Sequence, residues 1–445
     1  MIPETIAAVA TPPGKGGVGI VRVSGSLVPA IVQAILGHSV KPRMASFSVF
    51  RDAAGDFIDE GIALFFKAPQ SFTGEDVLEL QGHGGSVVLD LILRRCLELG
   101  ARVARPGEFT ERAYLNGKLD LAQAEAVADL IESSTALAAR LAGQSLQGVF
   151  SRRIDGLLEQ LVQLRILIEA TLDFPDEEID IATDSSVRHD LRQLIDATQQ
   201  LIAEAHQGQM LRDGLTVVIA GLPNVGKSSI LNALSCTDAA IVTPIPGTTR
   251  DLLRLDIQVN GLPVRIVDTA GIRHTDDPVE REGVRRAREQ LTRADLILWV
   301  EDTVAGSEPM SNGQIPLGCP VTYVRNKIDV MNLEPQQTAS NRGTEISLSA
   351  TTGAGLDLLR DHLKAHAGFG SNPEGAFIAR RRHLDALTRG LQCLEVARQR
   401  IIDQMGAEFV AEELLQAQQA FGEVTGQFTP DDLLGRIFSG FCIGK

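Results

Sequence analysis

The stretch Gly221-Leu222-Pro223-Asn224-Val225-Gly226-Lys227-Ser228 constrains this chain more than any other, because it follows the apolar run Leu215-Thr216-Val217-Val218-Ile219-Ala220 without a break. A β-branched strand entering a glycine loop that opens a helix turns backbone N–H groups toward one point, where they surround phosphate oxygens. Lys227 then reaches the outer phosphates and the Ser228 hydroxyl ligates magnesium, with Val225, Gly226 and Ser229 completing the contact. The spacing predicts an α/β module that holds a nucleoside triphosphate.

Later motifs narrow the base and the reaction. Thr243-Pro244-Ile245-Pro246-Gly247-Thr248-Thr249-Arg250-Asp251 offers a loop with two adjacent threonines, and the strand Val264-Arg265-Ile266-Val267 runs into Asp268-Thr269-Ala270-Gly271. A threonine hydroxyl can ligate magnesium beside the γ-phosphate, Asp268 can hold the metal's water shell, and the Gly271 N–H can approach the γ-phosphate. The strand Val321-Thr322-Tyr323-Val324 leads to Asn326-Lys327-Ile328-Asp329, and Ile346-Ser347-Leu348 leads to Ser349-Ala350. Asp329 can accept both donors on the guanine edge, a pattern that adenine does not present. In this order, each after a predicted strand, the motifs specify a GTPase.

One departure is informative. Where the best-known small GTPases place a water-orienting Gln after the D-x-x-G glycine, this chain has Ile272, which can neither orient nor polarise water. Another group must do so, and candidates lie in Arg273-His274-Thr275-Asp276-Asp277-Pro278-Val279-Glu280-Arg281. No arginine finger is evident. The Asn224 side-chain carbonyl either caps the loop or binds a monovalent cation that supplies positive charge in the transition state.

At 445 residues the chain exceeds one ordinary core, so two or three domains are expected. Cys96, Cys236, Cys319, Cys393 and Cys442 are scattered without a C-x-x-C pair, which indicates neither a disulfide framework nor a zinc site and fits a reducing cytoplasm. The start of the chain has no basic stretch followed by an apolar one, and no apolar run is long enough to span a bilayer, so no membrane association is expected. A formal net charge of −15 argues against indiscriminate nucleic-acid binding, and an aromatic content of 4% argues against a base-stacking platform.

The fold class expected is multidomain α/β and α. Residues 1–118 alternate short strands and turns, as in an α+β domain. Its strand candidates are Ile20–Val23, Ala45–Phe50, Gly61–Phe66 and Asp76–Leu80, with a helix over Val87–Leu99. From 119 to 212 the texture becomes long and helical: Ile154, Leu157, Leu158, Leu161, Leu164 and Ile168 recur at three- and four-residue steps, and a further helix follows over Val187–Leu211. The same texture returns in 373–445, with a long helical run over His383–Phe421. The GTPase module at 213–372 is therefore inserted into a helical domain, with hinges near Gly214 and over Gly368–Pro373.

The phosphate loop, the threonine loop, the inserted module and the ending Phe441-Cys442-Ile443-Gly444-Lys445 together resemble the MnmE (TrmE) family of tRNA modification GTPases. The resemblance covers nearly the whole chain. It extends to Thr11-Pro12-Pro13-Gly14-Lys15-Gly16-Gly17-Val18-Gly19-Ile20-Val21-Arg22-Val23-Ser24-Gly25, to Phe72–Asp76 with Gln81–Gly85, and to Arg105–Asp120, where Tyr114 stands at a position usually Phe. It implies a Ras-like GTPase domain and potassium-dependent hydrolysis when two such domains meet. Asn224, Thr243, Ile245 and Thr248 would hold potassium, Ser228 and Thr249 magnesium, and Glu280 would orient the attacking water. Lys227, Thr249 and Gly271 would complete the catalytic set.

The resemblance further implies that the N-terminal domain forms a homodimer and binds a tetrahydrofolate derivative, in 5-formyl or methylene form. Arg22, Glu79, Lys118 and Lys445 match its folate-contacting positions; on charge alone, Arg22 and Lys118 would be solvated surface groups. Cys442 would take part in the modification chemistry, although a cysteine in an apolar setting is also a packing residue. His83, in Gly82-His83-Gly84, reads as a turn residue. The implied function is addition of an aminomethyl or carboxymethylaminomethyl group to carbon 5 of the wobble uridine of certain tRNAs. The flavoprotein MnmG, carrying FAD, would be the partner in a heterotetramer. The alternative is a regulatory or ribosome-assembly GTPase. It is disfavoured because an assembly factor would append a basic RNA-binding module.

Overall fold

The computed structural model describes residues 4–173, 185–235, 254–259, 261–268, 294–304, 319–367, 377–427, 431–442 and 444. The chain divides into two units, one of Met1–Ala128, Ser145–Ile195 and Ala386–Lys445, the other of Asp129–Gln144 and Asp196–Asp385.

In the first unit, alternating apolar residues build a six-stranded sheet. β1 (Ile6–Val9), β2 (Gly16–Ser24), β3 (Ser46–Arg51), β4 (Phe57–Phe66), β5 (Val77–Gly84) and β6 (Arg102–Val103) lie in the order β3-β4-β5-β2-β1-β6. Val21, Val23, Ala63, Leu78 and Leu80 pack with Ile31 and Ile35 of α1 (Val28–Leu36) and with Leu89 and Ile92 of α2 (Ser86–Glu98). Because side chains alternate across a strand, Arg22 and Glu79, directly opposite in the β2–β5 register, take the other face. The expected strands fall within or against β2 to β5 and the expected helix matches α2. Elements outside those expectations include β1, whose four residues are too few to show a period, and α1, which carries Pro29 in its first turn.

A partly buried ionic network ties this unit together. The Ser24 and Thr73 hydroxyls hydrogen-bond at 2.7 Å, Ser24 also donates to Glu75 at 2.7 Å, and Arg112 of α3 (Glu108–Leu115) donates to Glu75 at 2.9 Å. Arg102 grips Glu108 through two N–H···O bonds of 2.8 and 2.6 Å. Burial pushes the Glu108 carboxyl up, but Arg102, the Arg105 N–H and Arg112 outweigh it and hold the group at about 2.

The helical texture forms α4 (Leu121–Glu132), α5 (Ala136–Leu146), α6 (Val149–Asp173) and α7 (Ser185–Asp213). Ile154, Leu158, Leu161 and Ile168 of α6 are buried, as their spacing predicts. The run expected over His383–Phe421 is two helices, Arg381–Ile402 and Ala407–Thr425. Gln404, at φ +55°, turns the chain out of the helix and Gly406 begins the next one. The Tyr114 hydroxyl donates to the Gly426 carbonyl at 2.7 Å, a bond that a phenylalanine would not make. Gly426 has φ +90°, and a Cβ there would lie 2.5 Å from that hydroxyl, so the position requires glycine.

In the second unit a seven-stranded sheet carries β7 (Leu215–Gly221), β8 (Arg254–Val259), β9 (Leu262–Asp268), β10 (Leu296–Asp302), β11 (Val321–Asn326), β12 (Gln336–Ser340) and β13 (Gly343–Ser347). Their order is β12-β13-β11-β10-β7-β9-β8, and β7 runs parallel to both β9 and β10. Val217, Ile219, Leu298, Val300, Val324 and Ile346 form the core with Ile230 and Leu234 of α8 (Lys227–Ser235) and with Leu359 and Leu363 of the helix Leu356–His366.

The segments leading into and out of this sheet share one carboxylate. Asp129 Oδ1 accepts from Arg212 Nε and from Arg380 Nη2, each at 2.7 Å. The Asp129 side chain is buried, whereas both guanidiniums are partly exposed. Asp129→Asn should therefore destabilise the second unit by about 2 kcal/mol, below the cost of breaking a fully buried pair. The shift of its urea midpoint relative to wild type measures this.

Candidate functional site: the nucleotide loop and the N-terminal sheet face

β7 is the strand at which the parallel order reverses, with β9 on one side and β10 on the other. The crevice beyond its C-terminal end is where open α/β sheets bind ligands. The loop 222–226 leaves β7 at this point and α8 begins at Lys227, with Ser228 and Ser229 in its first turn. The Lys227 ammonium folds back into the loop and donates to the carbonyls of Gly221 at 2.9 Å and Leu222 at 2.7 Å. Asn224 adopts a left-handed conformation at φ +64°. Gly226, at φ +96°, faces Asn326 so closely that a Cβ would lie 2.2 Å from the Asn326 amide nitrogen.

Asn326 is the junction of the site. Its side-chain nitrogen donates to the Val225 carbonyl at 2.9 Å, and its side-chain oxygen accepts the Ala350 N–H at 3.0 Å. Lys327 donates to the Asn224 carbonyl at 2.9 Å and pairs with Asp302 at 2.6 Å. The buried Ser349 hydroxyl accepts the Thr352 N–H at 3.2 Å and shapes the turn that presents Ala350. Asp329 is exposed in the one-turn helix Ile328–Met331. The structure thus brings together Asn224, Val225, Gly226, Lys227, Asn326, Lys327 and Ala350, residues read separately from three motifs. Asp302 was absent from that reading, since a lone aspartate ending an apolar strand carries no motif.

Thr243, Pro244, Ile245, Pro246, Gly247, Thr248, Thr249, Thr269, Ala270, Gly271, Glu280 and Lys445 lie outside the described residues. Asp268 closes β9, and its side chain lies outside them as well.

On the second face of the first sheet, opposite the one that packs on α1 and α2, Arg22 Nε and Nη2 bind one Glu79 oxygen at 2.9 and 2.8 Å, and Arg22 Nη1 donates to the Gly444 carbonyl at 3.3 Å. The guanidinium also lies 5.8 Å from the centre of the Phe109 ring. Lys118 donates to the Pro69 carbonyl at 3.1 Å and borders an open cleft walled by Leu64, Phe66 and Phe72. Leu64 is opposite Glu79 in the β4–β5 register, so this cleft adjoins the Arg22–Glu79 pair. Cys442 is exposed, so packing is not its role; the neighbouring Phe441 is the buried residue.

His83 belongs to β5 rather than to a turn. Its backbone N–H and ring Nδ1 both meet Asp59, at 2.8 and 2.7 Å. The Asp59 hydrogen bond and charge raise the His83 pKa. Burial pushes Asp59 up, but the His83 ring and backbone bonds outweigh it and the carboxyl titrates below its ordinary range. The pair therefore contributes stability between the lowered Asp59 pKa and the raised His83 pKa. That contribution falls away as pH drops through the first or climbs through the second. An NMR titration should give a His83 midpoint above that of an exposed histidine, and Asp59→Asn should lower it.

Two family models match the chain: one described as the GTP-binding protein TrmE N-terminus over residues 5–118, the other as the MnmE helical domain over residues 121–442. A protein of Methylococcus capsulatus named tRNA modification GTPase MnmE is 57% identical over 445 residues, covering 99% of each chain. One of the same name from Pseudomonas aeruginosa is 56% identical over 451 residues, again covering 99% of each. No described helix is long and apolar enough to cross a membrane. With nearly full-length identity above half, and with the phosphate loop seated at the reversal point of a parallel sheet, the chain belongs to the MnmE family of tRNA modification GTPases.

Proposed function

We propose that this protein is a cytoplasmic, potassium-dependent GTPase that acts on the wobble uridine of certain tRNAs. It works as a homodimer within a heterotetramer with the flavoprotein MnmG. The observation that carries the nucleotide half is the convergence of Val225, Asn326 and Ala350 beyond β7. The loop's own residues fit a polyphosphate: Lys227 is a buried cation that donates to the Gly221 and Leu222 carbonyls, bonds it can exchange for phosphate oxygens. Ser228, at the start of α8, supplies the hydroxyl that magnesium requires, and Thr249 the second. Asn224, Thr243, Ile245 and Thr248 would hold potassium, whose positive charge stands in for an arginine finger. Glu280 would orient water in place of the Gln that Ile272 replaces.

The modification half rests on the sheet face that carries Arg22 and Glu79. Arg22 and Lys118 offer cations for a carboxylate tail, Glu79 accepts N–H donors from a heterocycle, and Leu64, Phe66 and Phe72 line an apolar wall. These groups fit a tetrahydrofolate derivative, which would supply the one-carbon unit while FAD on the partner handles electron transfer. Lys445 would complete the site and the exposed Cys442 stands beside it in sequence. The corresponding domains are 1–118 for folate binding and dimerisation, 119–212 with 373–445 for the helical domain, and 213–372 for the GTPase.

Asn224→Ala should lower potassium-stimulated GTP turnover by about a hundredfold while GDP binding persists. Equal turnover in potassium and sodium for the wild type would remove the cation from the mechanism. Nucleoside analysis of tRNA from a strain lacking the protein should show unmodified wobble uridine. Unchanged modification would instead favour a regulatory or ribosome-assembly GTPase.

A further inference from the structure

We propose that Asp302 is a positioning residue for the nucleotide site: acting through Lys327, it fixes the phosphate loop at Asn224 before nucleotide arrives. The inference rests on the reading of Asn326-Lys327-Ile328-Asp329 as the guanine-reading segment.

Asp302 ends β10 and is the register partner of Asn326, which ends β11. Beyond that pair the chain turns sharply, with Lys327 at φ +68°. A non-glycine residue there is held by its surroundings, here Asp302 and Thr303. Asp302 Oδ1 accepts the Val304 N–H at 2.9 Å, which locks the carboxylate plane, and Oδ2 meets Lys327 Nζ at 2.6 Å. Thr303 donates to the Asn326 carbonyl through its N–H at 3.0 Å and its hydroxyl at 2.6 Å. Lys327 then spends another of its three donors on the Asn224 carbonyl at 2.9 Å.

The result is a continuous bridge from β10 through Lys327 to the left-handed residue of the phosphate loop. A surface ion pair is worth little, but the Asp302 side chain is only 15% exposed and its bond is charge-assisted. Without that carboxylate the lysine stem regains rotamer freedom, and the order it now carries must be restored when nucleotide binds. In this role Asp302 acts on the phosphate loop through Lys327, which bridges its carboxylate to the Asn224 carbonyl.

A double-mutant cycle on the full-length protein reads that dependence. The dissociation constant of a fluorescent GDP analogue is measured for wild type, Asp302→Asn, Lys327→Ala and the double variant, with a nucleotide-free melting curve for each. Asp302→Asn should weaken binding about tenfold in the wild-type background and less than about twofold beside Lys327→Ala, and Asp302→Glu should recover part of the loss. Unchanged binding in Asp302→Asn, or losses that multiply in the double variant, would overturn the proposal. If Lys327→Ala alone binds GDP as wild type does, the guanine-segment reading fails instead. Should Asp302→Asn not fold, Asp302→Ser, which keeps an acceptor for the Val304 N–H but removes the charge, carries the same cycle.

Discussion

The Asn326 side-chain amide is the contact on which the rest of the nucleotide site depends. It donates to Val225, 101 residues earlier in the chain, and accepts from Ala350, 24 residues later. Of the side chains of this size, only an amide can do both at once; a carboxylate would accept but not donate. Because Asn326 is almost wholly buried, each bond is made in a medium where an unpaired polar group is costly. The close approach excludes any side chain at Gly226 and sets the height of the loop over the end of β7. The 222–226 loop and the Asn326–Asp329 segment thereby become one connected object, and in the proposed nucleotide site binding energy need not be spent on assembling them.

The N-terminal sheet follows a different logic. One face is filled with apolar side chains against α1 and α2; the other presents Arg22, Glu79, Leu64 and Phe66, with Ile6 and Ala8 buried beside Ala104 and Phe109 at its β1 edge. Strand alternation separates the two, so the core and the proposed folate surface are built from the same strands. Three family signatures that look like ligand motifs in the sequence meet instead through Ser24, Thr73, Glu75 and Arg112, which bind one another. Such partly buried charge networks hold register between loops that have little apolar surface to bury. These signatures therefore report internal fit as well as chemistry.

Legibility in the sequence tracked how local each signal was. The alternation of β2 to β5, the three- and four-residue steps of α6 and the loop entering α8 depend on neighbours in the chain, and each was readable. β1 has no period to read and gains its place by pairing with β2 and β6. The break near Gly406 sits inside a run with continuous helical texture, because apolar spacing persists across a turn. His83 looked like part of a glycine turn, yet Asp59 from the adjacent strand holds it in β5. The exposure of Cys442 follows from Phe441 taking the buried position beside Phe438, with ring centres 5.4 Å apart.

The sequence by itself determined the family and, with it, the GTPase activity, since a phosphate loop and the motifs that follow it need particular residue types at spacings fixed by a strand, a turn and a helix. Tertiary structure alone decided which of those residues touch. It set Lys327 between Asp302 and Asn224, laid Arg22 against Glu79 and the Gly444 carbonyl, and gathered Arg212 and Arg380 on Asp129. These contacts join residues distant in the chain, and no periodicity encodes them. They exist because burying a charge or an amide demands a partner, and the fold determines which partner is within reach.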